Sequence, residues 1–169
     1  LIPNDQGVSY ELASALFTDY TDKRRVIFLP KGGKMIATDD GLPSFPDGTI
    51  IAKTFFYPSR DAVGSSRQRL LEKRLLIHKD GQWNAATYRW NAAQDEAFLL
   101  MDSASVHVSF LDNKGVERQT NYIIPSRKDC MACHRQGNQL LPIGPKIRNL
   151  NRTIVHDGDS IQQLVRLTQ

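Results

Sequence analysis

Cys130-Met131-Ala132-Cys133-His134 constrains this chain more than any other stretch. Its cysteines are the only two in 169 residues, so no other thiol competes for their chemistry. The motif stands close to the C-terminal end. Whatever the preceding residues build must therefore present a late C-x-x-C-H segment to a partner group.

Two thiols at this spacing suit the two vinyl groups of a porphyrin, and the adjoining imidazole can swing onto the iron. The motif thus reads as the attachment site of one covalent haem c, with Cys130 and Cys133 as anchors and His134 as the proximal iron ligand. Three competing readings each lack a part. A structural zinc site wants four N or S ligands, and the remaining histidines, His78, His107 and His156, are isolated. A thioredoxin-like pair belongs at a strand-to-helix junction within alternating β and α segments, whereas the pattern upstream is β-rich. A disulfide across two intervening residues is strained.

Composition supports one domain spanning residues 1–169, with a β-rich body over about 1–125 and an attachment and C-terminal segment over about 126–169. A hydrophobic content of 40% can supply a core, while 24% charged residues and a mean hydropathy of -0.41 fit a water-exposed surface. No apolar run is long enough to span a membrane. The start at Leu1-Ile2-Pro3 reads as a mature or trimmed form. The net charge of +4 does not read as nucleic-acid binding, because Lys23-Arg24-Arg25 and Lys73-Arg74 are short runs, each followed by apolar residues at strand spacing. Two haem propionates would offset about two of those charges. A modest basic face suits an acidic redox partner protein, such as another cytochrome.

The order of elements predicts an α+β fold, an antiparallel β-sheet meander with a few helices. Tyr10 to Thr18 is expected as a helix capped by Ser9, with Leu12, Ala15 and Leu16 on one face. Arg24 to Pro30 and Thr49 to Tyr57 are expected as strands, the second launched by the turn Phe45-Pro46-Asp47-Gly48. Glu72 to Lys79 and Gln82 to Trp90 flank Asp80-Gly81, a strong two-residue hairpin signal. Val106 to Leu111 and Val116 to Ile124 flank Asp112-Asn113-Lys114-Gly115, and Asn91 to Leu100 is expected as a short helix capped by Asn91.

A haem c hung on a C-terminal segment behind a β-rich body resembles the cytochrome P460 and β-type cytochrome c′ family. Phe45-Pro46-Asp47-Gly48-Thr49-Ile50-Ile51 is similar to that family's strand entry, and Lys128-Asp129-Cys130-Met131-Ala132-Cys133-His134 to its terminal haem segment. Through Phe45 to Tyr57, Glu72-Lys73-Arg74-Leu75-Leu76, Tyr88-Arg89-Trp90-Asn91, the haem motif and Pro142 to Asn151, the chain also resembles a family of poorly characterised bacterial haem c proteins. The resemblance implies covalent haem on an antiparallel sheet. It also implies an alternative function, hydroxylamine oxidation or NO binding at an open iron position. A lysine crosslink to the macrocycle, known in the P460 family, matches neither Lys31 nor Lys34, which read as solvated. Gly144-Pro145 is similar to the Gly-Pro of ordinary cytochromes c, which implies the Pro145 carbonyl as acceptor for the proximal histidine's second nitrogen. The alternative is that Pro142 and Pro145 only shape a turn.

Whether the iron has a sixth protein ligand separates carrier from catalyst. Met131 is tied within the attachment loop, leaving Met35 in a glycine-rich loop, Met101 and His107 as distal candidates; each also reads as an ordinary packing or surface residue. His78 and His156 are expected to be exposed. Asp19, Asp22, Asp39, Asp40 and Asp47 lack the spacing of a calcium loop, and Asp39-Asp40-Gly41 reads as a turn. Ser65 and Ser66 lack a nucleophile-elbow context. Phe55, Phe56, Tyr57, Trp83, Tyr88 and Trp90 are expected mainly in the core, some of them walling the haem. The leading expectation is a monohaem c-type cytochrome that transfers electrons in the periplasm or another exported location.

Overall fold

Asp80 and Gly81 both adopt positive φ, 53° and 70°, the backbone a two-residue hairpin with right-handed strand twist requires. The computed structural model, which describes residues 7–14, 16–60, 66–112 and 114–167, builds its main sheet around that hairpin. Six strands pair antiparallel in chain order: β1 (Gly7–Ser9), β2 (Asp22–Phe28), β3 (Ile50–Arg60), β4 (Ser66–Lys79), β5 (Gln82–Trp90) and β6 (Ala97–Leu99). β7 (Ala104–Leu111) and β8 (Glu117–Ile124) form a separate hairpin, followed by helix α1 (Arg127–His134). The chain then makes the small hairpin β9 (Arg135–Gln136) and β10 (Gln139–Leu140), helix α2 (Ile147–Leu150), the hairpin β11 (Thr153–His156) and β12 (Asp159–Gln162), and helix α3 (Gln163–Leu167). The fold is α+β, dominated by antiparallel sheet. No helix among the described residues is long and apolar enough to cross a membrane.

Two apolar clusters share one face of the main sheet. Ile27 and Ile51 pack with Tyr10, Phe45 and Leu150, and with Leu76, Trp83, Ile147 and Leu164 at the margin. Farther along β3, Phe55 and Tyr57 pack with Leu71 and with Val108, Phe110, Tyr122 and Ile124 of the β7–β8 hairpin. That hairpin lies over the sheet instead of extending it. Alternation in β8 turns Tyr122 and Ile124 inward and leaves Ile123 exposed. A bulge at Phe55/Phe56 lets Leu71 and Glu72 both be buried.

Two expected helices do not form. Over Tyr10 to Thr18 the backbone donors go elsewhere: Tyr10 N–H to the Arg25 carbonyl (3.1 Å), Ala13 N–H to the Asn149 carbonyl (2.8 Å) and Glu11 N–H to Gln163 Oε1 (2.7 Å). Tertiary partners thus replace the helical ladder, Ser9 ends β1 instead of capping, and Leu16 is two-thirds exposed. Ala15 of the expected apolar face lies outside the described residues, as do Ser65 and Asn113. Asn91 to Leu100 is a turn running into β6. The Asn91 side chain accepts from the Asp95 and Glu96 N–H groups, and Gln94 takes φ 64° while its amide donates to the Leu70 carbonyl. Asn91 therefore closes a loop against β4 and β5 in place of starting a helix.

Candidate cofactor-attachment site

The C-x-x-C-H motif, Cys130 to His134, is helical throughout. Ser126 and Asp129 prepare the helix start, with the Asp129 carboxylate accepting from both the Ser126 N–H (2.8 Å) and its hydroxyl (2.9 Å). Within α1, Cys130, Cys133 and His134 occupy positions i, i+3 and i+4, so the two sulfurs and the imidazole project from one helical face. Cys130 is half-buried, its Sγ 3.6 Å from the Ser126 carbonyl, and Cys133 is exposed. Both thiols are free. The helix is fastened to β5 by Arg127 Nη2, which donates to Asn84 Oδ1 at 3.4 Å.

The hairpin β9–β10 folds the chain back immediately after His134. Gly137, with φ 59°, supplies the positive φ at the first central position of its two-residue turn. Leu141 thereby pairs with His134: its N–H donates to the His134 carbonyl (2.7 Å), and its own carbonyl lies 2.9 Å from His134 Nδ1. That contact selects the tautomer with Nδ1–H donating and leaves the Nε2 lone pair for a metal. The acceptor is thus Leu141, not Pro145. Pro145 is buried farther along the connection into α2, where the adjacent Gly144 carbonyl receives Lys146 N–H and Asn149 Nδ2.

Electrostatics place the helix against a charged part of the sheet. Burial pulls His134 below the usual histidine range; the Leu141 carbonyl works against this, and Lys53 and Arg74 reinforce it. A neutral imidazole, the form that ligates metals, is therefore favoured. Burial raises the Cys130 thiol, with Arg74 and the Thr87 hydroxyl opposing. Behind Arg74 lies Glu72, a wholly buried carboxylate. It accepts from Arg74 Nε (2.7 Å) and Nη2 (2.6 Å), and from the Tyr122 hydroxyl (2.6 Å). Burial and the neighbouring carboxylate push the Tyr122 phenol up, so it stays a donor.

The distal candidates are dispersed. Met35 packs against the Ile27–Ile51 cluster. His107 is exposed on β7 and meets Asn121 Oδ1 across the hairpin at 2.9 Å. Met101 is 76% exposed and borders a cavity of about 620 Å³ that Trp83, Leu99, Met131 and Leu140 also line, with Arg127 and Lys128 among its walls. Lys31 and Lys34 are exposed. His156 is 40% exposed, whereas His78 is not exposed as expected: its side chain is 15% exposed, its ring tilted against Trp83 with centroids 4.7 Å apart and Nδ1 3.1 Å from Asp47 Oδ1. Asp39 accepts from Gly41 N–H in a local turn. Among the described residues no group of three or more His, Cys, Asp or Glu side chains converges on a point.

Sequence reasoning missed Leu141, Lys53 and the Glu72–Arg74–Tyr122 network. The Gly137-Asn138 pair was the available signal for the first. Compared with models of known protein families, with curated proteins and with solved structures, the chain matches none.

Proposed function

We propose that the protein is a monohaem c-type cytochrome that carries single electrons to a redox partner protein, such as another cytochrome, in the periplasm or another exported location. The observation that carries this is the shared helical face of Cys130, Cys133 and His134, with His134 Nδ1 engaged by Leu141 and Nε2 left for iron. Two thiols and one imidazole nitrogen are too few donors for a bare ion held at four points, and they match a group that brings its own nitrogens. Each cysteine would add its S–H across one vinyl group, the sulfur bonding to one carbon and the hydrogen going to the other, so attachment consumes no oxidant. When bound, haem supplies a one-electron iron couple. The chain's own contribution is to orient His134 through Leu141, to keep its imidazole neutral by burial, and to surround it with the positive charge of Lys53 and Arg74, which favours the reduced state. The likeness to the P460 and β-type cytochrome c′ family supports the same attachment.

Expression beside a haem-lyase or equivalent maturation system tests the proposal. The mass should rise by one haem, Cys130→Ala and Cys133→Ala should each keep a single thioether, and the double variant should keep none. Coloured protein whose mass equals the bare polypeptide, or colourless protein, overturns it.

A second reading, a P460-like enzyme or gas-binding haem protein, is favoured by one observation: Met35 is packed in an apolar cluster and His107 is bonded to Asn121, so neither stands free as a sixth ligand. Ferrous protein that binds CO readily supports this reading, and a low-spin spectrum indifferent to CO supports the carrier.

A further inference from the structure

Arg25, Lys53, Arg74 and Thr87 are direct cross-strand partners on β2, β3, β4 and β5, forming one row across the sheet. Like charges placed directly opposite repel, so a row of three cations needs compensation. The protein itself provides little. Glu72 is already engaged by Arg74 and Tyr122, and Glu11, which lies near Arg25, pairs with Arg152 at 3.2 Å. Lys53 is half-buried with its ammonium 4.7 Å from the Phe55 ring centre, and it has no hydrogen-bond or carboxylate partner among the described residues. At the end of the row, Thr87 is fully buried, its hydroxyl neighbouring the Cys130 thiol and without an oxygen or nitrogen acceptor. Lys23, 6.0 Å from the same ring, adds a fourth positive charge. An ammonium without a partner within the row and a buried hydroxyl without an acceptor at its end, with Arg74 between them, are both unfavourable unless an acceptor arrives.

The row's place in the fold says where that acceptor lies. Along β3 the residues on this face run Ile51, Lys53, Phe55, so the cations occupy the gap between the two apolar clusters. Helix α1 is tied to β5, the strand that carries Thr87, by the Arg127–Asn84 bond, which sets the end of the row beside that helix, and Lys53 and Arg74 bear on His134.

We propose that the Arg25, Lys53, Arg74 and Thr87 row is a binding site for carboxylate or similar oxoanion groups adjoining the attachment helix. This rests on the haem reading for its first source, the propionates; a free small oxoanion is the second. The site completes the row's charge and gives the Thr87 hydroxyl an acceptor to donate to.

The test compares Lys53→Gln and Arg25→Gln with the parent chain, both haem-loaded and haem-free, by thermal unfolding with and without inorganic phosphate and by redox titration of the loaded form. If propionates fill the row, Lys53→Gln lowers the loaded protein's unfolding temperature and midpoint potential but raises the unfolding temperature of the haem-free chain, which is relieved of an unpaired charge. Phosphate then stabilises only the haem-free chain. If a free anion fills it, phosphate stabilises both forms, and Lys53→Gln weakens its half-saturation on the order of tenfold, the worth of one charge-assisted hydrogen bond. A Lys53→Gln change of the same sign in both forms, with the potential unmoved and phosphate without effect, overturns the proposal. Arg25→Gln, at the far end of the row, gives the same pattern more weakly if the site is a row, and no effect if Lys53 acts alone, which also overturns it. Mass measurement separates the two failures: a chain that takes up no haem removes the first source, while the phosphate measurement on the haem-free chain still decides the site.

Discussion

Glu72→Gln keeps the volume of the buried side chain and removes its charge, and its cost follows from the contacts. The native carboxylate has no solvent exposure and accepts three bonds between 2.6 and 2.7 Å, two from Arg74 and one from Tyr122. Hydrogen bonds to charged groups contribute about 1.5–3 kcal/mol each. A glutamine whose oxygen keeps the Arg74 Nη2 and Tyr122 bonds turns an amide donor toward Arg74 Nε, so one bond is lost, two donors face each other and the charge is gone. Breaking one side of a buried pair typically costs about 3–5 kcal/mol. The Arg74 side chain is 27% exposed and regains some hydration, which places the expected loss near the lower end, about 3 kcal/mol. Tyr122→Phe leaves Glu72 satisfied by Arg74 and should cost about 1.5–3 kcal/mol. Urea unfolding of the haem-free chain measures both, with an unchanged m-value showing that the unfolded ensemble is the same. Because Tyr122 donates to the carboxylate whose charge Glu72→Gln removes, the double variant should lose less than the sum of the singles. A Glu72→Gln loss below about 1 kcal/mol, or strict additivity with Tyr122→Phe, refutes the buried network as a stabilising unit.

The wholly buried Gln163 ties the N-terminal segment to α2, its amide accepting from Glu11 N–H and donating to the Glu11 and Leu150 carbonyls. Gln163→Leu should cost about 2–3 kcal/mol in urea unfolding, since it strands buried backbone groups; a loss within error of zero contradicts this. Gly137→Val forces a β-branched residue into φ 59° and should cost about 1–2 kcal/mol in the β9–β10 hairpin. Hydrogen exchange at the Leu141 N–H, which is bonded to the His134 carbonyl, should then quicken by about 5- to 30-fold, and an unchanged rate would show that the turn does not set the His134–Leu141 pairing.

The central strands were legible because their signals are local. Asp80-Gly81 specifies a turn by backbone conformation alone, and the β-branched and aromatic run of β3 leaves few alternatives. The two mistaken helices failed for the opposite reason. Ala and Leu around Tyr10 to Thr18 favour a helix weakly, but the segment's backbone is claimed by Arg25, Asn149 and Gln163, partners that no local window contains. Asp157-Gly158 carried the same hairpin signal as Asp80-Gly81, with φ of 53° and 93°. That β7 and β8 cover the sheet instead of extending it depends on Val108, Phe110, Tyr122 and Ile124 finding Phe55 and Leu71, a long-range match that strand periodicity cannot express.

The site divides in the same way. The C-x-x-C-H run is legible from five letters as a candidate attachment motif, and the helix that puts its three groups on one face is added by the structure. The histidine's acceptor could not, since it depends on whether the chain turns back at once, as Gly137 makes it do, or continues to Pro145. Lys53 shows a subtler limit. In Ile51-Ala52-Lys53-Thr54-Phe55-Phe56-Tyr57 both alternating sets contain apolar residues, so neither face of β3 is marked as the wet one. The pairing register decides: Lys53 shares the inward face with Ile51 and Phe55 and meets Arg25 and Arg74 side by side. A strand that turns Lys53 toward the core, between two other cations, sacrifices stability of the bare polypeptide. That sacrifice is recovered only when a negatively charged group occupies the gap between the two apolar clusters, which ties the folding energetics of the sheet to the occupancy of the site.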